Sequence, residues 1–197
     1  TTQSIVVSAA GSYSVTYTNG NGCSATSSAT TVTVNALPTS PTVSASGSTT
    51  FCAGGSVTLT SSQATGNLWS TGATTQSIVV STAGSYSVTF TNGSGCSATS
   101  TATTVTVNAL PTAPTVSASG STTFCAGGSV TLTSSQATGN LWSTGATTQS
   151  IVVSAAGSYS VTYTNGSGCS ATSTATTVTV DALPTAPTVS ASGSTTF

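Results

Sequence analysis

Apolar residues alternate with serine and threonine along several short runs of the chain. The run at residues 57–62 places Val57 and Leu59 on one face, and the run at 86–90 does the same with Tyr86, Val88 and Phe90. An alternation with a period of two predicts β-strands with one buried face. Further strands are predicted at residues 42–46 and 104–107 and around Trp69 and Val79. No segment shows the periodicity of a helix.

Glycine and asparagine punctuate these runs, as at residues 53–56, 71–72 and 92–95. Such residues suit the turns of β-hairpins because they tolerate positive φ angles. Six or seven short strands per period predict an all-β fold, a two-sheet immunoglobulin-like sandwich. Ala98 and Ala102 are out of phase with Val105 and Val107, which predicts a β-bulge between them. The predicted inward residues are Val43, Val57, Leu59, Trp69, Ile78 or Val79, Tyr86, Val88, Phe90, Val105 and Val107.

The chain repeats itself every 73 residues, since the string TTQSIVVS begins at Thr1, Thr74 and Thr147. A period of this size predicts a tandem array of small domains. Division at the LPT motif gives the C-terminal half of a repeat at 1–37, complete repeats at 38–110 and 111–183, and the start of another at 184–197. We expect the chain to sample a longer polypeptide. The complete copies differ at Ser40/Ala113, Thr82/Ala155, Phe90/Tyr163 and Asn108/Asp181.

Five cysteines recur with the same period, at Cys23, Cys52, Cys96, Cys125 and Cys169. One pair per complete repeat predicts the disulfides Cys52–Cys96 and Cys125–Cys169, with Cys23 left over. The alternative pairing, Cys23–Cys52 and Cys96–Cys125, would join neighbouring repeats. A seventh short strand in the STGATTQ stretch would also separate the two cysteines of one repeat. Either pairing indicates an oxidising, extracellular compartment.

The chain has no Lys, Arg or His, and Asp181 is its single acidic residue. Acid–base catalysis needs a titratable side chain near the substrate, phosphate contacts need cations, and calcium or zinc sites need several ligands. We therefore predict no enzymatic activity, no catalytic, cofactor or metal site, and no nucleic-acid partner. No run of 18 apolar residues is present, so no membrane span is predicted.

Two features invite a binding interpretation. Trp69 and Trp142, with Asn67 and Asn140 nearby, are candidates for stacking against a glycan, although a core tryptophan is the favoured interpretation. The alternating threonines of the TATTVTV segments would present a flat array to ice or to a polysaccharide. Outward threonines on any strand would give the same pattern.

The segments FCAGGSVTLTSS, LWSTGATTQSIVVS, AGSYSVTFTNGSGCSATS and TVTV follow one another in each complete repeat. This order resembles the short immunoglobulin-like domains strung along giant secreted and cell-surface, adhesin-like proteins of Bacteroidetes. The resemblance covers the whole chain. It implies spacers or adhesive stalk units outside the bacterial cell, and it carries no catalytic residues.

The near absence of charge also bears on assembly. Soluble β-proteins commonly protect their edge strands with charged residues or proline, and a net charge of −1 gives copies little mutual repulsion. We therefore predict a structural extracellular repeat protein that forms a surface fibre or filament by contacts with itself. The alternative is an adhesin stalk or a glycan-binding module on a bacterial cell surface. Each predicted linker contains a proline pair that favours extended geometry: Pro38 and Pro41, Pro111 and Pro114, and Pro184 and Pro187.

Overall fold

A computed structural model describes residues 3–193, 195 and 196. Every regular element among these residues is a β-strand, which confirms the predicted all-β class. The strands are β1 (Gly11–Tyr13), β2 (Thr16–Thr18), β3 (Ser24–Thr26), β4 (Thr30–Val32), β5 (Val43–Ala45), β6 (Thr50–Cys52), β7 (Val57–Ser61), β8 (Asn67–Trp69), β9 (Ser77–Val80), β10 (Gly84–Tyr86), β11 (Val88–Thr91), β12 (Ser97–Thr99), β13 (Thr103–Asn108), β14 (Val116–Ala118), β15 (Thr123–Cys125), β16 (Val130–Ser134), β17 (Asn140–Trp142), β18 (Ser150–Val153), β19 (Gly157–Tyr159), β20 (Val161–Thr164), β21 (Ser170–Thr172) and β22 (Thr176–Asp181).

The chain forms two compact units. One consists of Thr1–Thr49 and Ser56–Thr106, and the other of Thr50–Gly55 and Val107–Phe197. The second unit therefore contains all of the repeat at 111–183, two short segments of the repeat before it, at 50–55 and 107–110, and the start of the next repeat. The domain boundaries derived from the sequence period stay a prediction.

The second unit contains three small sheets, with strand orders β14-β16-β18, β17-β20-β21 and β15-β22-β19. Most neighbouring strands run antiparallel, as in the register that places Leu132 opposite Ile151. The pair β15 and β22 is parallel and places Cys125 beside Asp181. Strand β16 alternates between buried and half-buried residues, as the serine and threonine spacing predicts.

One hydrophobic core fills the space between these sheets. Its buried members are Val130, Leu132, Trp142, Ile151, Val153, Val161 and Val178. The Trp142 indole N–H donates to the carbonyl oxygen of Thr148 at 2.9 Å, so the ring is buried without losing its hydrogen bond. Burial of each large apolar side chain stabilises the fold by about 1.5–3 kcal/mol.

The first unit shows the same pairing within residues 43–106. Strand β7 lies between β5 and β9, and β11 lies between β12 and β8. Of the two inward candidates on β9, Ile78 is 9% exposed and Val79 is 69% exposed, so Ile78 belongs to the core. The other predicted inward residues are buried at Val57, Leu59, Trp69, Tyr86, Val88 and Val105 and half-buried at Val43, Phe90 and Val107.

The structure has more strands per repeat than the sequence predicted. Strands β6 and β12 were not expected, and the run at 86–90 is divided at Ser87 into β10 and β11. The predicted β-bulge is wrong. Strand β12 pairs with β11 whereas β13 pairs with β10, so the chain changes its partner strand between them. Ser100 holds the chain in place where it changes its partner strand. Its N–H donates to Val88 O at 2.9 Å, and its hydroxyl accepts from Val88 N–H at 3.1 Å.

Candidate functional site at the junction between repeats

A tight loop precedes the second cysteine of each repeat. In the loop at residues 165–169, the Asn165 side-chain oxygen accepts from the N–H groups of Ser167 and Cys169, both at 3.0 Å. Gly168 has a φ of 78°, a conformation that disfavours residues with a side chain. The loop is thus held by its own asparagine and glycine, and it places Cys169 immediately before β21.

This loop contacts the segment that leads into its own repeat, residues 108–116, which is the predicted linker and begins at the last residue of β13. The Asn165 Nδ2 group donates to Ala109 O at 3.3 Å, and Cys169 Sγ lies 4.0 Å from Asn108 O. Sequence analysis interpreted the NGSG segment only as a turn. Its asparagine in fact makes contacts in two directions: the side-chain oxygen shapes the loop, and the side-chain amide binds the linker.

The first cysteine of the preceding repeat lies next to the same linker. Cys52 ends β6, and the N–H of the next residue, Ala53, donates to Asn108 O at 2.8 Å. Cys52 and Cys169 form a disulfide with an S–S distance of 2.00 Å and a Cα–Cα distance of 5.6 Å. The junction therefore joins the first cysteine of one repeat to the second cysteine of the next.

The predicted pairing of Cys52 with Cys96 and of Cys125 with Cys169 is wrong. The two cysteines of one repeat contact different linkers: Cys52 is next to the Asn108 linker, while Cys96 Sγ lies 3.9 Å from Asn35 O. The alternative, Cys23–Cys52 with Cys96–Cys125, is wrong as well. Cys23, Cys96 and Cys125 form no disulfide with one another, and Cys96 is half-buried while the other two are exposed.

Both tryptophans are core residues. Trp69 and Trp142 are each 2% exposed, and each indole N–H is bonded to a backbone carbonyl at 2.9 Å. Neither ring offers a face to a sugar, so the glycan-stacking interpretation is wrong. Asn67 and Asn140 are buried too, and the Asn140 side chain bonds with Ser134 and with Gln136 O, both at 2.8 Å.

Exposed hydroxyl groups pair with one another across strands. Thr89 and Thr99 are joined through their hydroxyls at 2.8 Å, and so are Thr91 and Ser97. Aliphatic side chains stand exposed on the neighbouring edge strands. These are Leu68 and Leu141, each 53% exposed, with Val79 at 69% and Val152 at 70%.

Two negative findings concern the described residues alone. Within residues 3–193, 195 and 196, no helix is long and apolar enough to cross a membrane. Across the same part of the chain, no three His, Cys, Asp or Glu side chains come close enough together to hold a metal ion.

No family model and no curated protein matches the chain. Three solved structures give weak similarities. A chain from the complex of a mouse coronavirus receptor-binding domain with its murine receptor has a TM-score of 0.38 and 15% identity, over 72% of this chain and all of that one. The human OSCAR ligand-binding domain has a TM-score of 0.32 and 13% identity, over 73% of this chain and all of that one. A structure from a 1.5-MDa bacterial ice-binding adhesin has a TM-score of 0.35 and 20% identity, over 86% of this chain and 74% of that one.

Proposed function

We propose that this chain is a structural extracellular repeat protein whose successive repeats are fixed to one another and whose copies assemble into a surface fibre or filament. The observation that carries this proposal is the Cys52–Cys169 disulfide, which joins one repeat to the next across the linker. Both cysteines lie in the second compact unit, where the bridge holds the short segment Thr50–Gly55 of the preceding repeat to the repeat at 111–183. Its physical effect is to restrict the linker.

The disulfide changes how the array responds to tension. The two cysteines are separated by 117 residues along the sequence, and their Cα atoms lie 5.6 Å apart. A pulling force that reaches Cys52 is therefore passed to Cys169 through the S–S bond, and the folded chain between them bears less of it. In the loop-closure model, closing a loop of this length reduces the entropy of the unfolded chain enough to stabilise the fold by about 4–5 kcal/mol.

The same bond supports an extracellular location. Disulfides persist in oxidising compartments and are rare in the cytosol, where thiols are kept reduced. The chain has no lysine or arginine. It therefore has no cationic side chains that would bind the phosphates of a nucleic acid.

Contacts between copies have a candidate surface on the sheet edges. Leu68 and Leu141 lie on the edge strands β8 and β17, and each is half-exposed at the same position of its repeat. No charged residue lies on these strands. An uncharged edge that carries an exposed aliphatic side chain favours association with another strand. The 73-residue period would present this edge at regular intervals along a filament.

The alternative function is an adhesin stalk or glycan-binding module on a bacterial cell surface. In a stalk, the same linked repeats would act as a spacer for a ligand site in another domain. The burial of both tryptophans removes the aromatic platform for a sugar, which leaves the outward threonine pairs as the remaining candidate contact with a glycan.

Electron microscopy of the purified chain would test the proposal. We expect ordered polymers whose spacing reflects the repeat. The double variant Leu68→Thr/Leu141→Thr should weaken lateral association because it removes the aliphatic groups from the edge. The matched variant Leu68→Val/Leu141→Val, which keeps an apolar edge, should assemble like the parent chain. Dispersed single strings in the parent preparation would overturn the filament and favour the stalk.

A further inference from the structure

The cysteines of the observed disulfide recur along the chain with the 73-residue period of the sequence. Displacing Cys52–Cys169 by one period of 73 residues toward the C-terminus places Cys125 opposite the second cysteine of a following repeat. Displacing it toward the N-terminus places Cys96 opposite the first cysteine of a preceding repeat. We propose that Cys96 and Cys125 are half-cystines of further junctions of this kind, so that every repeat is covalently bonded to both of its neighbours.

The surroundings of Cys96 match those of Cys169. The Asn92 amide donates to Ala36 O at 3.3 Å, as the Asn165 amide does to Ala109 O at the same distance. Cys96 Sγ lies 3.9 Å from Asn35 O, whereas Cys169 Sγ lies 4.0 Å from Asn108 O. The loop of Cys96 is therefore already seated on its linker in the arrangement that the bonded junction shows. A preceding repeat would supply the counterpart of β6 together with its first cysteine.

Cys125 provides the opposite half of a junction. It ends β15 beside Asp181, the last residue of β22. The N–H of Ala126 donates to Asp181 O at 2.8 Å, just as the N–H of Ala53 donates to Asn108 O at 2.8 Å beside the bonded Cys52. The exposed thiol of Cys125 thus lies against a linker that resembles the one at the closed junction. The partner that this surface fits is the Asn-Gly-x-Gly-Cys loop of another repeat.

Closing such a junction is an oxidation. Two thiols lose two protons and two electrons, and one S–S bond forms. A small-molecule disulfide, such as oxidised glutathione, accepts the electrons through thiol–disulfide exchange and leaves as two thiols. The same class of oxidant would form the Cys52–Cys169 bond, so a second kind of oxidant is not required.

Counting thiols distinguishes this rule from bridges within repeats. The chain would be oxidised in dilute solution, denatured without reduction, alkylated and weighed by mass spectrometry. The rule predicts one disulfide and three unpaired cysteines, namely Cys23, Cys96 and Cys125. Bridges within repeats would leave only one unpaired cysteine, Cys23. Mixed disulfides with glutathione would be recognised by their mass and counted as unpaired.

A chain lengthened at its C-terminus by one further period tests the prediction for Cys125. The added repeat brings two cysteines, and the rule predicts that Cys125 bonds with the second of them, so the number of unpaired cysteines stays at three. In this longer chain, Cys125→Ser should raise the number to four because it releases that partner. The matched variant Cys96→Ser should lower it to two because Cys96 is unpaired there.

A count of one unpaired cysteine in the parent chain, or an unchanged count after Cys125→Ser, would overturn the inference. The inference extends the proposed structural role but fails separately from it, since thiol counting does not depend on polymer formation. If filaments form and only one cysteine is unpaired, the proposed fibre stands and the bridging between all repeats is wrong. If three cysteines are unpaired and no filaments form, the bridging stands and the proposed fibre is wrong.

Discussion

The leading segment, residues 3–37, and the matching half of the complete repeat, residues 76–110, have nearly the same sequence and the same local pairing but different burial. Gly11 lies opposite Val32 in the one, as Gly84 lies opposite Val105 in the other. Val15 is nevertheless 68% exposed, whereas its counterpart Val88 is fully buried. The strands of this half therefore pair through nearby residues alone, whereas the burial of their side chains depends on residues elsewhere in the repeat.

The difference shows where the core comes from. In the complete repeat, β8 pairs with β11 through Trp69 and Val88, while β7 pairs with β9 through Leu59 and Ile78. Strands β7 and β8 belong to the first half of the repeat, which residues 3–37 do not contain. Each half thus specifies its own hairpins, and the core forms only where the two halves meet. Folding of the repeat is expected to be cooperative for this reason.

Removing the largest buried side chain in the first half of a repeat should have the largest effect on stability. Trp142→Ala deletes a ring that is 2% exposed, and we expect a loss of about 3–5 kcal/mol in the free energy of unfolding because a large cavity replaces it. Residues 149–181 should then behave like the leading segment. Urea denaturation followed by circular dichroism would measure the loss. Leu183→Ala, at a position that is 63% exposed and outside the edge strands, is the control and should change stability by less than about 0.5 kcal/mol. Equal effects of the two variants would contradict the role given to Trp142.

A matched valine pair tests the same contrast within the second half. Val161→Ala removes two methyl groups from a fully buried position, and we expect a loss of about 2 kcal/mol. Val15→Ala makes the same change at the corresponding exposed position, with an expected loss below about 0.5 kcal/mol. Each complete repeat has one tryptophan, so Val161→Ala should shift about half of the fluorescence change to lower urea. The leading segment has no tryptophan, so Val15→Ala would be followed by circular dichroism. A loss as large as that of Val161→Ala would show that this segment has a core of its own.

The contrast also explains which buried residues could be predicted from the sequence. The alternation of Val57 and Leu59 predicted the buried face of β7 because the side-chain period of a strand follows from its backbone geometry. On β9, Ile78 and Val79 are adjacent apolar residues, and alternation alone did not distinguish them. Their pairing with β7 does, since Ile78 lies opposite the buried Leu59.

The disulfide could not be obtained in this way. Its position depends on the contact of the Cys169 loop with Asn108, 61 residues away, and on the end of β6, a strand too short to show a pattern. Counting one cysteine pair per repeat assumed that each repeat closes on itself. The asparagine that begins each loop, as at Asn92 and Asn165, was visible in the sequence, but its contact with the linker was not.

A tyrosine pair provides the smallest test, and here the two regions should agree. Tyr13 donates its hydroxyl to Ala9 O at 3.0 Å, and Tyr159 donates to Ala155 O at 2.9 Å. Both rings are half-buried. Each hydrogen bond joins the last residue of a strand, β1 or β19, to the carbonyl oxygen four residues before it. Tyr13→Phe and Tyr159→Phe should each cost about 1 kcal/mol or less. Hydrogen exchange of the amides opposite the two tyrosines, Thr30 and Thr176, would report the change by mass spectrometry. A markedly larger effect for Tyr159→Phe would mean that this hydrogen bond depends on the core beneath it. The strand pairs of the two regions would then differ in stability although they share one register.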